Sequence, residues 1–146
     1  MEIQISFQKK SPEIKSPRIK RKLAKALSAL ACEQSELSLL FTDNEQIAVL
    51  NGRYLGRQGP TNVIAFPMLE EKFPEIRRGM LGDIVISLER AQEEAVELGL
   101  TLEERVDQLL VHGLLHLLGH DHETTPAAAR KMQKAEVQLL AIMEEG

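Results

Sequence analysis

The opening stretch "EIQISF" alternates, with Ile3, Ile5 and Phe7 on one side and polar residues on the other. That period of two marks a half-buried strand. After the punctuation "SPEIKSP" the period lengthens. Ile19, Leu23, Ala26, Leu27 and Leu30 recur at helical spacing from Pro17 to about Cys32. Arg18, Arg21, Lys22 and Lys25 fall on another side of the same helix and read as a solvated face, with the alternative of meeting phosphates. "ELSLLFTD" predicts a second strand, and "DNEQIAVLNGRYL" a helix capped by Asp43 or Thr42 and broken by "GRQGP". The β-branched and aromatic run "TNVIAFPM" predicts a third strand ended by Pro67. Residues 69 to 80 read as a loop and "LGDIVIS" as a fourth strand. "SLERAQEEAVELG" predicts a helix stopped by Gly99. "TLEERVDQLLVHGLLHLLG" predicts the next, opened by a capping box of Thr101 and Glu104. A last helix starts near Thr125-Pro126 and presents Met132, Ala135, Leu139, Ile142 and Met143 as its apolar face.

This order predicts an α/β (α+β) chain. One domain over residues 1–146 is expected, with a small, mostly parallel mixed four-stranded sheet packed by helices. A length of 146 residues suits one core. Aromatics are 3% and there is no Trp, so aliphatic side chains must build that core. The net charge of -4 argues against a wholly basic nucleic-acid binder and leaves room for a local basic patch. The single cysteine, Cys32, supplies neither an internal disulfide nor a Cys-rich metal site and reads as a small apolar residue. No apolar run is long enough to span a membrane and the N-terminus lacks a signal-peptide core, so a cytoplasmic protein is expected.

All four histidines lie in "HGLLHLLGHDH", residues 112 to 122. On the helix from Thr101, Leu102, Val106, Leu109, Leu110, Leu114, Leu115 and Leu117 cover most of the circumference and predict burial. One stripe is polar: Arg105, Gln108, His112 and His116. The i, i+4 spacing of His112 and His116 lets two imidazoles converge on one ion. His120 continues the series, but on a straight helix it stands about 12 Å from His112. Gly119 can end the helix in the left-handed region, and His122 then swings back as third ligand. Three imidazoles leave the fourth corner of a tetrahedral zinc ion open, which points to catalysis; nickel, copper or cobalt also suit the donor set. The spacing matches the metzincin proteases, but the glutamate that follows their first histidine is Gly113 here, which argues against a peptidase. A glycine inside a helix costs about 1 kcal/mol against alanine, so it is expected to serve a purpose, room beside the metal for a bulky substrate being one.

"HGLLHLLGHDH" resembles the signature of the YbeY family of bacterial endoribonucleases, or rRNA maturation factors. "LNGRYLGRQGPTNVIAFP" is similar to that family's loop and strand, and "LGDIVIS" to its next strand; together they span roughly residues 36 to 122. The resemblance implies a zinc-dependent, single-strand-specific endoribonuclease in late rRNA maturation and quality control, near the 3′ end of the small-subunit rRNA. One zinc ion would be held by His112, His116 and His122. The implied partners are single-stranded RNA and the small ribosomal subunit with its proteins; neither a membrane nor DNA is expected. Where the family carries an arginine after the aromatic residue, this chain has Leu55, flanked by Arg53 and Arg57. Arg57 and Asp121 are the candidate catalytic residues, the first to stabilise charge on the phosphorane, the second to orient a ligand or act as base. RNA contact is expected from Arg53, Arg57, Arg77 and Arg78, with steep salt dependence. The alternatives from other classes are a non-catalytic, zinc-containing ribosome-assembly factor and a metal-dependent hydrolase of another small phosphate or ester.

Overall fold

A computed structural model describes residues 2–67, 80–119 and 125–144. Four strands and five helices follow in the order β1 (Glu2–Phe7), α1 (Ser16–Ala29), β2 (Glu36–Thr42), α2 (Asn44–Leu55), β3 (Val63–Pro67), β4 (Met80–Ser87), α3 (Leu88–Leu98), α4 (Leu102–Leu117) and α5 (Pro126–Glu144). They form one small α/β domain with a mixed sheet in the order β1-β2-β4-β3. β1 and β4 both run parallel to β2, and β3 is the antiparallel edge strand beside β4. The expected mostly parallel mixed sheet is therefore present. No helix among the described residues is long and apolar enough to cross a membrane.

Strand alternation sorts the core onto two faces. Leu37, Leu39 and Phe41 of β2 and Ile84 and Ile86 of β4 join α1, α4 and α5 in the main core. Val85 and Ile64 point the other way and pack with Ile47 of α2, with Leu40, Leu50 and Phe66 at the margin of that smaller cluster. Local chemistry fixes the helix ends. Asp43, rather than Thr42, caps α2 by accepting the Gln46 N–H at 2.8 Å. The capping box of α4 is complete in both directions.

Three expectations change. First, α1 stops at Ala29, short of Cys32, because the chain turns through a left-handed Ala31 (φ 59). The cysteine is still half-buried against the main core. Second, the α1 basic stripe is not uniformly solvated. Lys22 is buried, and its Nζ donates to Asp107 Oδ2 at 2.8 Å and Glu103 Oε2 at 3.1 Å, both on α4. Arg18 Nε pairs with Glu103 at 2.6 Å. Third, Gly113 is buried against the sheet. A Cβ there would stand 3.2–3.3 Å from three side-chain atoms of Ile84. The glycine lets α4 lie close on β4, which replaces the expectation of room beside a metal. Of the loop expected at 69 to 80, Met80 opens β4 instead; the rest lies outside the described residues.

Candidate functional site

α4 is wrapped in core on most of its circumference, with Val106, Leu110, Val111, Leu114 and Leu115 fully buried. Its expected polar stripe survives at the surface. Arg105 is clamped by Glu94 of α3, which accepts from Nε at 3.1 Å and Nη2 at 3.0 Å. Its Nη1 donates to Gln108 at 2.6 Å, and Glu94 also takes the Asn62 amide at 3.1 Å. Arg105 is thus spent on tying α3, α4 and the entry to β3 together. A cleft of about 450 Å³ runs from this cluster to His112 and the facing side of α5.

At the far end of the stripe His112 and His116 are half-buried and meet with ring centroids 4.6 Å apart. Their Nε2 atoms are separated by 3.1 Å. Two neutral imidazoles cannot hold lone pairs that close; a proton or a cation must lie between them. Two nitrogens about 2.05 Å from one zinc ion at tetrahedral corners stand about 3.3 Å apart, so the pair already has nearly the span of two ligands. Rigidity comes from both sides: Gly113 presses the helix onto β4, and Glu136 of α5 accepts from His112 Nδ1 at 3.0 Å. An ionised carboxylate only accepts, so that bond puts the proton on Nδ1 and turns the Nε2 lone pair of a neutral His112 toward His116. Sequence reading missed Glu136. It lies on a helix read only for its apolar face, and its spacing from His112 follows no local motif.

The turn after α4 is also built as expected. Leu118 N–H bonds back to Leu114 and Leu115, and Gly119 takes a positive φ of 92°. His122, His120 and Asp121 lie outside the described residues, as do Arg77 and Arg78. Among the described residues no group of three or more His, Cys, Asp or Glu side chains is gathered in a form that could hold a metal ion. The two described histidines fit two positions of the expected three-histidine set.

Arg53 sits in the last turn of α2, and Arg57 follows the left-handed Gly56 that ends it. Both are exposed. Buried Asn51 shapes this loop: its carbonyl accepts the Arg57 N–H at 3.2 Å and its amide donates to Gly59 O at 2.9 Å. β3 follows directly, and its end reaches α4. Gly82 (φ 146), beside the register shift between Glu36 and Leu37, carries no Cβ because one would collide with the Phe66 carbonyl oxygen and stand 2.8 Å from Leu117 Cδ2. The end of β3 and the residue after His116 thus meet over one glycine.

These features define a class: a small mixed α/β domain whose buried helix carries a convergent, carboxylate-oriented imidazole pair. The family model described as "Endoribonuclease YbeY" matches residues 4–144, and the chain belongs to that family. "Endoribonuclease YbeY" of Syntrophus aciditrophicus is 41% identical over 144 residues, 98% of this chain and 90% of that protein. The protein of the same description from Geobacter metallireducens is 39% identical over 145 residues, 99% and 97% of the two chains. The solution structure of TM1509 from Thermotoga maritima shares the fold, with a TM-score of 0.69 at 24% identity, over 97% of this chain and 88% of that one.

Proposed function

We propose that residues 1–146 form a single zinc-dependent endoribonuclease domain that cuts single-stranded RNA during rRNA maturation and ribosome quality control. The small-subunit rRNA 3′ end is the proposed target, and the cytoplasm, beside the small ribosomal subunit and its proteins, the proposed setting. The observation that carries this reading is the 3.1 Å approach of the His112 and His116 Nε2 atoms under the hold of Glu136. Family membership supports the reaction class.

His112 and His116 would hold the ion together with His122. A zinc ion there supplies Lewis acidity at the phosphodiester. The chain's own groups do the rest. Glu136 keeps the His112 proton on Nδ1 and the ring in place. Arg57, on its stapled loop, offers a guanidinium to the charge that builds on the phosphorane. Asp121, between two histidines in sequence, orients a ligand or takes a proton. Arg53, Arg57, Arg77 and Arg78 meet the phosphates, so affinity should fall steeply with salt.

The test is cleavage of one RNA sequence as a single strand and as a duplex, by protein as prepared, after chelation and after zinc is restored. The reading expects cutting of the single strand alone, lost with the metal and regained with zinc. Full cutting by metal-free protein would overturn the zinc mechanism. Tight zinc with no RNA turnover would favour a non-catalytic assembly factor.

A further inference from the structure

We propose that Tyr54, backed by Phe66 and flanked by Arg53 and Arg57, is a stacking platform for one unpaired nucleobase of the RNA. The inference rests on the ribonuclease reading and names how that substrate is held. The chain has one Tyr, four Phe and no Trp, yet the Tyr54 ring is 61% exposed at the end of α2. An aromatic-poor core would gain from that ring, and it lies outside instead.

Its orientation is set. The Tyr54 and Phe66 rings meet edge to face, with centroids 5.7 Å apart and an interplanar angle of 78°. Whichever ring presents its edge, Phe66 covers at most one face of Tyr54, and the residue stays 61% exposed. Holding the ring before RNA arrives lowers the ordering cost of binding. The charge around it suits a polyanion. Arg53 and Arg57 are exposed and, among the described residues, enter no ion pair, as is also true of Arg21 and Arg130, but only these two flank an exposed aromatic ring. Cations that reach phosphates beside an aromatic face are the usual means of holding single strands without reading sequence. The Phe66 side chain packs on the α2 face of the sheet, while its carbonyl oxygen lies beside Leu117 over Gly82, so the edge strand β3 links the platform to the end of α4.

The test uses the full chain as wild type, Tyr54→Ala, Tyr54→Leu and Tyr54→Phe, with single-stranded RNA carrying one 2-aminopurine. Affinity, quenching of the 2-aminopurine on binding, and cleavage kinetics are read together with thermal unfolding. Tyr54→Ala and Tyr54→Leu should weaken binding about fivefold or more, since base stacking on an aromatic is worth at least about that factor. They should also abolish the quench and raise KM more than they lower kcat. Tyr54→Phe should restore binding and quench and melt with wild type, and Tyr54→Ala and Tyr54→Leu, which lose only the edge contact to Phe66, should stay folded at the assay temperature. Unchanged affinity and quench in Tyr54→Ala would overturn the platform and leave the ribonuclease reading standing. Intact RNA binding with lost association to small ribosomal subunits would reassign the ring to a protein contact and likewise overturn the platform. A wild type that binds no RNA would overturn the ribonuclease reading and the platform with it.

Discussion

Two of the polar patches on α4, one near each end, are built on opposite logic. Near its start, Glu103 and Asp107 meet Lys22 and Arg18 of α1, so opposite charges close on one another. Near its end, His112 and His116 bring two ring nitrogens to 3.1 Å, and the nearby carboxylate of Glu136 makes that convergence firmer. The first patch is nearly complete as it stands. Asp107, 4% exposed, has one oxygen on Lys22 and the other, Oδ1, without a hydrogen-bond partner among the described residues. Burial raises the Asp107 carboxyl above its ordinary value, and the Lys22 ammonium opposes the shift without cancelling it. In the second patch the two ring nitrogens share one hydrogen bond, in a geometry close to that of two ligands of one ion. Opposite charges that close on one another tie the fold together, whereas two imidazoles that converge offer the same donor atom to a shared proton or ion.

The contrast breaks most visibly at His116. His116→Ala should cost more than about 10²-fold in RNA cleavage, beyond the loss expected for an outer partner such as Glu136. It should move the melting temperature far less than a core truncation would, because the side chain is only half-buried. Lys22→Met should do the reverse. It leaves buried Asp107 without its cation, while Glu103 keeps Arg18, and should cost about 3 kcal/mol in urea unfolding, with cleavage per folded molecule unchanged. If Lys22→Met lowered turnover as well, the two ends of α4 would be coupled and the division between them wrong.

Smaller effects sharpen the same comparison. Glu136→Ala should weaken zinc about 10- to 100-fold in competition with a chelating dye, and Glu136→Gln less, since its amide oxygen still accepts from His112 Nδ1. Gly113→Ala should cost about 1–3 kcal/mol by pushing α4 off Ile84. Wild-type stability with Gly113→Ala would remove the packing explanation of this glycine. The smallest effect is the pH dependence of Asp107. Its folded pKa lies above its unfolded value, so its contribution is fully present below about the ordinary 3.8 and is lost as pH rises through the raised value. Wild type should therefore lose stability relative to Asp107→Asn as the pH of a urea titration series rises across that window. A constant difference would show that Lys22 offsets the burial completely.

Much of this was legible in the chain. Alternation at Ile3, Ile5 and Phe7, the Thr101–Glu104 box and the leucine-rich circumference of α4 each follow from local periodicity or capping, and each is present. The His112–His116 pair was legible for the same reason, since one helical turn is a local distance. What escaped depends on contacts between distant segments. Glu136 reaches His112 only because α5 folds back on α4, and Lys22 leaves the solvated stripe only because α4 presents two acids to it. Gly82 and Gly113 look alike in sequence as glycines within regular elements, but one admits the end of β3 beside Leu117 and the other admits Ile84. Asn51 was equally silent, because its partners Arg57 and Gly59 sit in a loop whose shape it helps set.

The end of α4 is proposed to hold a metal ion, and its start is not. Zinc stoichiometry and affinity, measured by chelator competition on folded wild type, His116→Ala and Lys22→Met, test it most directly. One tightly held zinc ion per chain in wild type and Lys22→Met, and none in His116→Ala with its circular dichroism unchanged, is the predicted result. Equally tight zinc in His116→Ala would contradict it.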